Sequence, residues 1–135
     1  MAVAVGLACA AFGRLLNVDW LGTGPVFVAA TIGQFLRREM ITRHVNVFIC
    51  ATLVSFLSSL LGGLGAHWAG SESVTNAMIA SILLLVPGVP AVNAQSDILE
   101  GYPTLGSARV VSVGMILIFV AAGLWIGQML MNHWQ

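Results

Sequence analysis

The segment from Leu83 to Gly101 reads LLLVPGVPAVNAQSDILEG and constrains how the chain folds. It begins as an apolar helix, but Pro87 and Pro90 each remove a backbone hydrogen-bond donor and obstruct the carbonyl four residues earlier. Gly88 adds backbone freedom between the two prolines. The segment therefore predicts a helix that is broken at Pro87-Gly88-Val89-Pro90 and that carries polar residues after the break.

The composition around this segment is that of a membrane protein. Of 135 residues, 59% are hydrophobic and 7% are charged, and the mean hydropathy is +0.96. Soluble domains carry roughly 25% charged residues because water must solvate their surface. Lipid tails, in contrast, solvate the outside of an apolar helix bundle. We therefore predict an all-α integral membrane bundle that lies in a lipid bilayer.

Charges, glycines and prolines divide the chain into five apolar segments. A helix needs about 20 mostly apolar residues to cross a bilayer. The predicted spans of this single transmembrane domain are 1–16, 23–40, 45–66, 74–99 and 105–131. The fourth span carries the break, which on these bounds lies near the middle of the membrane.

The distribution of arginine predicts an orientation. Four of the five Arg residues lie at two connections that five spans place on one side: Arg37, Arg38, Arg43 and Arg109. The positive-inside rule makes that side cytoplasmic, and the N-terminus with it. We interpret the first three as an orientation signal rather than as a site. Tryptophans near the opposite ends of the spans agree with an interfacial aromatic belt: Trp20, Trp68, Trp125 and Trp134.

Several other residues indicate packing or interfacial roles. Gly123 and Gly127 form a GxxxG pattern that allows close helix packing, without indicating the partner helix. Arg14 lies near the predicted outer side, where it either reaches the interface or pairs with Asp19. Polar residues inside the spans either line a pathway or bond a neighbouring helix, and we favour the second role for Thr31, Gln34, Asn46 and Asn76.

The break itself suits solute binding. Transporters use discontinuous helices in this way because exposed backbone amides and carbonyls bind polar solutes. An amino acid presents both an ammonium and a carboxylate group, so both kinds of backbone group would contact it. We therefore predict that Pro87, Gly88 and Pro90 belong to a substrate site. The alternative is a proline kink that only shapes packing.

Polar residues follow the break at helical spacing. Asn93, Asp97 and Glu100 share one helix face, and ionisable groups in membrane helices usually face a cavity or an ion path. We predict that Asn93 and Asp97 contact the substrate, with the Asp97 carboxylate holding an ammonium group or carrying a proton. Glu100 is a second candidate for proton coupling, or else an interfacial residue. The alternative for Asp97 is an ion pair with Arg109.

Other classes of function are disfavoured. The net charge is +0, whereas a nucleic-acid partner requires a surplus of Lys and Arg. The sequence contains no GxSxG, HExxH, Walker A or dinucleotide-binding pattern, so we predict neither an enzyme nor a cofactor. Cys9 and Cys50 lie in separate apolar runs and indicate packing rather than a metal site. Without a nucleotide site, transport depends on an ion gradient or runs downhill.

The motif at the break resembles that of the threonine/serine exporter (ThrE-like) family, in the membrane half of the larger subunit of its two-protein form. The resemblance covers nearly the whole chain and rests on Leu85-Val86-Pro87-Gly88-Val89-Pro90, Asn93-Ala94, Asp97, Gly101, Gly106 and Arg109. It implies export of threonine, serine or similar small polar metabolites from the cytoplasm. It also implies a place in the bacterial inner membrane and coupling to the proton motive force.

The same resemblance implies a partner. Family members of this type carry a cytoplasmic region before the first helix, which we expect to be missing from this chain, and a second set of membrane helices. We therefore expect a second membrane subunit or a homo-oligomer, with a small amino acid as the substrate. The main alternative is a non-transporting membrane subunit that assembles a multi-protein complex.

Overall fold

The structure, a computed structural model, describes residues 2–134, which form six α-helices and no strand. The helices are α1 (Ala2–Leu15), α2 (Trp20–Thr42), α3 (Val47–Trp68), α4 (Val74–Ile82), α5 (Gly88–Leu99) and α6 (Pro103–Trp134). A 3-10 turn at Leu83–Leu85 prolongs α4 up to the prolines. The prediction of an all-α bundle is confirmed.

Two helices are long and apolar enough to cross a membrane by themselves. They are Val47–Trp68, with a mean hydropathy of 2.1, and Pro103–His133, with 2.4. Val74–Leu85 and Gly88–Leu99 meet the same criteria only together, as one span bent by 58°. The described residues thus supply up to three spans by length and composition, and the division into five spans remains a prediction.

The other two helices differ from the predicted spans in length. α1 is a shorter apolar helix of 14 residues, and Met1 of the first predicted span lies outside the described residues. α2 runs from Trp20 to Thr42, beyond both ends of the predicted span 23–40. Its last turns carry the charged residues, which is why its hydropathy is lower than that of α3 and α6.

α3 lies at the centre of the bundle, where it packs against α2, α4 and α6, and α1 packs against α2 and α4. The buried face of α3 carries three fully buried serines, Ser55, Ser58 and Ser59. The hydroxyl of Ser55 donates to the Val120 carbonyl of α6 at 2.7 Å, and that of Ser59 donates to the Phe56 carbonyl of its own helix at 2.9 Å. Of these two bonds, that of Ser55 joins α3 to α6.

The glycine pattern of α6 packs against α3. A Cβ atom added at Gly123 would lie 2.5 Å from the carbonyl oxygen of Thr52 and 2.9 Å from the Cβ of Ser55. A Cβ added at Gly127 would overlap the hydroxyl of Ser59. The predicted packing role of this GxxxG pattern is confirmed, and the structure identifies α3 as the partner helix.

The two connections predicted to face outward meet at one end of the bundle. The Asp19 carboxylate accepts hydrogen bonds from the Ser73 hydroxyl and from the Glu72 backbone N–H, both at 3.2 Å. The backbone N–H of Asp19 donates to the Ser73 hydroxyl at 3.0 Å. Asp19 therefore joins the start of α2 to the connection before α4.

Arg14 does not form the ion pair that we considered for it. Its guanidinium donates to the Val18 carbonyl at 2.7 Å and lies 4.3 Å from the ring centroid of Trp20, a cation–π contact. Trp20 and Trp68 are exposed at this end of α2 and α3, as an aromatic belt requires. The side chain of Trp134 lies outside the described part of the chain.

Two of the polar residues that we assigned to packing bond the backbone. The Thr31 hydroxyl donates to the Phe27 carbonyl of α2 at 2.7 Å. The Asn46 side chain accepts from the backbone N–H of Phe48 at 2.9 Å and so caps the start of α3. In contrast, the side-chain oxygen of Gln34 is buried without a partner in the described residues.

The contact between α6 and α3 can be tested with two glycines of the same helix. We expect Gly123→Ala to destabilise the protein by about 1–3 kcal/mol, because overpacking forces the two helices apart. A Cβ at Gly114 meets nothing within 4 Å, so Gly114→Ala should leave stability unchanged or raise it by up to about 1 kcal/mol. Thermal unfolding in detergent measures both, and equal stability of the two variants would contradict the assigned packing.

Candidate functional site

The backbone changes course at the predicted break. The N–H of Gly88 donates to the Val86 carbonyl at 2.9 Å, rather than to the carbonyl of Leu84 four residues earlier. Helical bonding resumes where the N–H of Ala91 donates to the Pro87 carbonyl at 3.0 Å. The break therefore deprives the Leu84 carbonyl of the donor that a continuous helix would provide.

An arginine from another helix replaces that donor. Nη1 of Arg37 on α2 donates to the Leu84 carbonyl oxygen at 3.3 Å. In apolar surroundings an unbonded backbone carbonyl costs several kcal/mol, so this contact supports the broken backbone. Our interpretation of Arg37 as an orientation signal missed this role. No sequence pattern indicated it, because the contact joins two helices across 47 residues of sequence.

A cavity of about 420 Å³ opens at the break, and we refer to it as the break cavity. Four parts of the chain form its wall: α2 (Arg37 and Ile41), α3 (Val47, Cys50 and Ala51), residues 85–90, and α6 (Ile116). Pro87, Gly88 and Pro90, which we predicted as substrate-site residues, thus share one cavity.

The break cavity lies beside an end of one helix and near the middle of another. Val47 is the first residue of α3, whereas Ile116 lies near the middle of α6. The expectation that the break lies near the middle of the membrane stays a prediction.

A smaller cavity of about 290 Å³ adjoins the first and shares Pro90 and Ile116 with it. Asn93 of α5 and Arg109 of α6 line this second cavity. The first two turns of α5 therefore present Asn93 close to the break. Asn93 does not line the break cavity itself.

Asp97 forms an ion pair with Arg109, which was the alternative that we considered for it. The Asp97 side chain is 18% exposed and that of Arg109 is 45% exposed, so the pair is partly shielded from solvent. The Asp97 carboxylate is thus bound to a guanidinium in this structure. A substrate ammonium group would have to displace Arg109 before it could bind there.

The rest of α5 is open. Of its twelve residues only Ala94 is buried, where the helix packs against Gly106 of α6. Glu100 is exposed at the end of α5. Asn93 and Gln95 are exposed as well, although polar groups of membrane helices normally face protein or a water-filled cavity. The described residues thus leave polar side chains of α5 uncovered.

The electrostatics of the break cavity favour a negatively charged group. The Arg37 guanidinium lies in its wall, and α5 begins there with the positive end of its helix dipole. None of the described residues that line the cavity carries a carboxylate. Residues 2–134 also contain no group of three or more His, Cys, Asp or Glu that could hold a metal ion.

A third cavity, of about 600 Å³, lies at the opposite end of the bundle. Its lining is polar and includes His67, Ser71, Glu72, Asn76 and Gln128. Met78 also lines this cavity; its side chain is buried and lies between Gly63 of α3 and Gly127 of α6. Asn76 therefore lines a cavity, contrary to the helix-bonding role that we favoured for it.

Comparison with known proteins places this site in a family. The chain is 35% identical over 124 residues to a protein of Escherichia coli (strain K12) named "Probable succinate transporter subunit YjjP". The aligned region covers 91% of this chain and 48% of that protein. It is also 35% identical over 120 residues to the protein of the same name from Klebsiella aerogenes, covering 88% of this chain and 46% of that protein. The chain thus spans about half the length of these relatives. No solved structure matches it.

The family model matches almost the whole chain. Residues 1–131 match the ThrE model, described as "Putative threonine/serine exporter". This match includes both the broken helix and the helix that carries Arg37. The relatives are named as transporter subunits, which confirms the prediction of a transport protein rather than an enzyme. The chain is a multi-pass bacterial membrane protein that belongs to the ThrE family.

Proposed function

We propose that this chain is a membrane component of a secondary exporter for small polar metabolites that carry a carboxylate group. The family description points to threonine and serine, and the names of the relatives point to succinate. All three solutes carry a carboxylate. The observation that carries the proposal is the break cavity, where a helix end, a guanidinium and an interrupted backbone meet.

The position of the cavities supports alternating access. The break cavity lies at the end of the bundle that carries most of the arginines, and the polar cavity lined by His67 and Asn76 lies at the other end. By the positive-inside rule the arginine end and the N-terminus are cytoplasmic, in the bacterial inner membrane. A solute would enter at the break, and movement of α5 about Pro87-Gly88 would open the path toward the second cavity.

Asp97 is our proposed proton-coupling residue. Its carboxylate is partly buried and paired with Arg109, so protonation of Asp97 would release Arg109 and loosen α5 from α6. The sequence contains no nucleotide-binding pattern, which supports coupling to the proton gradient. Asn93 lines the adjoining cavity and is proposed to contact the solute after it leaves the break cavity.

A second membrane subunit completes the proposed transporter. The relatives are named as subunits. Asn93 and Gln95 of α5 are exposed, and polar groups of a membrane helix require a covering surface or water. We propose that helices of the second subunit, or of a second copy of this chain, cover α5.

The second candidate function is a non-transporting assembly subunit. The same open α5 favours it, because an exposed helix that packs mainly on one neighbour, α6, is suited to docking. The two candidates differ in whether the break must bind a solute. They can be separated by comparing variants of the break with variants of the packing glycines.

Efflux from membrane vesicles that contain both subunits tests the exporter proposal. We expect labelled threonine or succinate to leave preloaded wild-type vesicles. We expect the double variant Pro87→Ala/Pro90→Ala to have less than about a tenth of the wild-type efflux rate, because a continuous helix misplaces the binding groups. Pro103→Ala, at the first position of α6, is the matched control and should keep efflux. Efflux of neither solute by a folded, assembled wild type would favour the assembly subunit, and full efflux by the double variant would contradict the role of the break.

A second test addresses the coupling residue. We expect Asp97→Asn to abolish the stimulation of efflux by an imposed proton gradient, because an amide cannot take up and release the proton. Glu100 was the other candidate for proton coupling, but it is exposed at the end of α5, and we therefore expect Glu100→Gln to keep the stimulation. Gradient-stimulated efflux is measured for both variants in parallel. Equal stimulation in the wild type and Asp97→Asn would exclude Asp97 as the coupling residue.

A further inference from the structure

We propose that the break cavity is a carboxylate-binding site in which Arg37 is the specificity-determining residue, and that it selects organic acids over amino acids. This inference rests on the proposed export function and adds to it the side chain that binds the solute and the class of solute. It depends on three features of the cavity: the state of Arg37, the lack of acidic groups, and the bond to Leu84.

The guanidinium of Arg37 has unused binding capacity. An arginine offers five N–H donors in a planar fork that matches the two oxygens of a carboxylate. Here one neutral carbonyl, that of Leu84, accepts a single bond at 3.3 Å. The ion pairs of the described residues are Glu39 with Arg43 and Asp97 with Arg109, so no carboxylate of residues 2–134 pairs with Arg37.

The surroundings make that charge costly without an anion. The rest of the cavity wall is apolar, with Ile41, Val47 and Ile116 among its residues. A charge in such surroundings is normally paired, because removal from water disfavours it. A bound carboxylate would supply the counter-charge. The volume of about 420 Å³ is within the range of roughly 300–1,000 Å³ for small-molecule sites.

The same wall disfavours an ammonium group. No described residue of the cavity carries a carboxylate, and Asp97 is bound to Arg109 beside the adjoining cavity. The ammonium of threonine or serine would lose its water without gaining a counter-charge. A solute with carboxylates and no ammonium group avoids that loss. Because the cavity wall has no carboxylate to pair with an ammonium group, the cavity favours organic acids over amino acids.

The bond to Leu84 links solute binding to the break. A carboxylate can bind the unused donors of Arg37 while the Leu84 carbonyl keeps its bond to the same guanidinium. The bound solute would then lie beside the contact between α2 and the end of the α4 turn. The solute site is thus adjacent to the segment about which α5 turns.

A binding assay tests the site independently of transport. Val86 is half exposed and lines the cavity, whereas the native Cys9 and Cys50 are buried. The variant Val86→Cys, in a chain with Cys9→Ala and Cys50→Ala and assembled with the second subunit, would be labelled by a small thiol reagent. We expect succinate to slow this labelling and threonine at equal concentration to have much less effect.

Neighbouring arginines provide the matched comparison. Arg37→Gln and Arg38→Gln each remove one positive charge from the same end of α2, so both variants share any effect on membrane orientation. The two residues differ in position, because Arg38 is exposed and lines no described cavity. We expect Arg37→Gln to raise the succinate concentration needed for protection by about tenfold or more, as loss of a charged hydrogen-bonded pair requires. Arg38→Gln should match the parent chain, and Arg37→Lys should recover part of the protection.

Each outcome decides one proposal. Equal protection by succinate in Arg37→Gln and Arg38→Gln would overturn Arg37 as the binding residue. Equal protection by threonine and succinate would overturn the selection against ammonium-bearing solutes. Protection that depends on Arg37, combined with no efflux from wild-type vesicles, would support the site and refute the export function on which it rests.

Discussion

Every backbone carbonyl inside a membrane protein must find a donor within the protein, and the prolines of the fourth apolar segment prevent the chain from meeting this requirement locally. The chain turns by 58° at this point, and the Leu84 carbonyl loses its helical partner. Arg37 of α2 provides the missing donor. The break changes the direction of α5 and leaves a cavity, and the replacement donor places a charged group in the wall of that cavity.

Close packing provides the second requirement, since lipid supplies no hydrophobic force that drives helices together. At three interfaces of α3 a glycine of one helix faces a serine of the other, so the backbones approach closely: Gly33 with Ser58, Gly62 with Ser81, and Gly127 with Ser59. The serine hydroxyls then bond nearby carbonyls, except that of Ser58, which has no partner among the described residues. These close approaches of backbone add to the apolar clusters between the helices, such as that of Val54, Ile82 and Val120.

The charges divide into two groups with different consequences. Asp97 and Arg109 neutralise each other, and Glu39 and Arg43 form an exposed pair. Arg37 remains as a charge whose bond is to a neutral carbonyl. The ammonium-binding role that we expected for Asp97 therefore meets competition from Arg109, while the anion-binding role that we propose belongs to Arg37, a residue outside the motif. This shift agrees better with the succinate named for the relatives than with an amino acid.

The sequence by itself determined that this is an all-α membrane protein with a helix broken at Pro87-Gly88, because composition and proline chemistry act locally. It also indicated the family, through the motif around the break, and the Asp97–Arg109 pair as one of two alternatives. Only the tertiary structure decided that Arg37 reaches Leu84, that the break lies beside an end of α3, and that Gly123 packs on α3. These contacts join distant parts of the chain, and their geometry depends on how whole helices pack rather than on the spacing of residues within one of them.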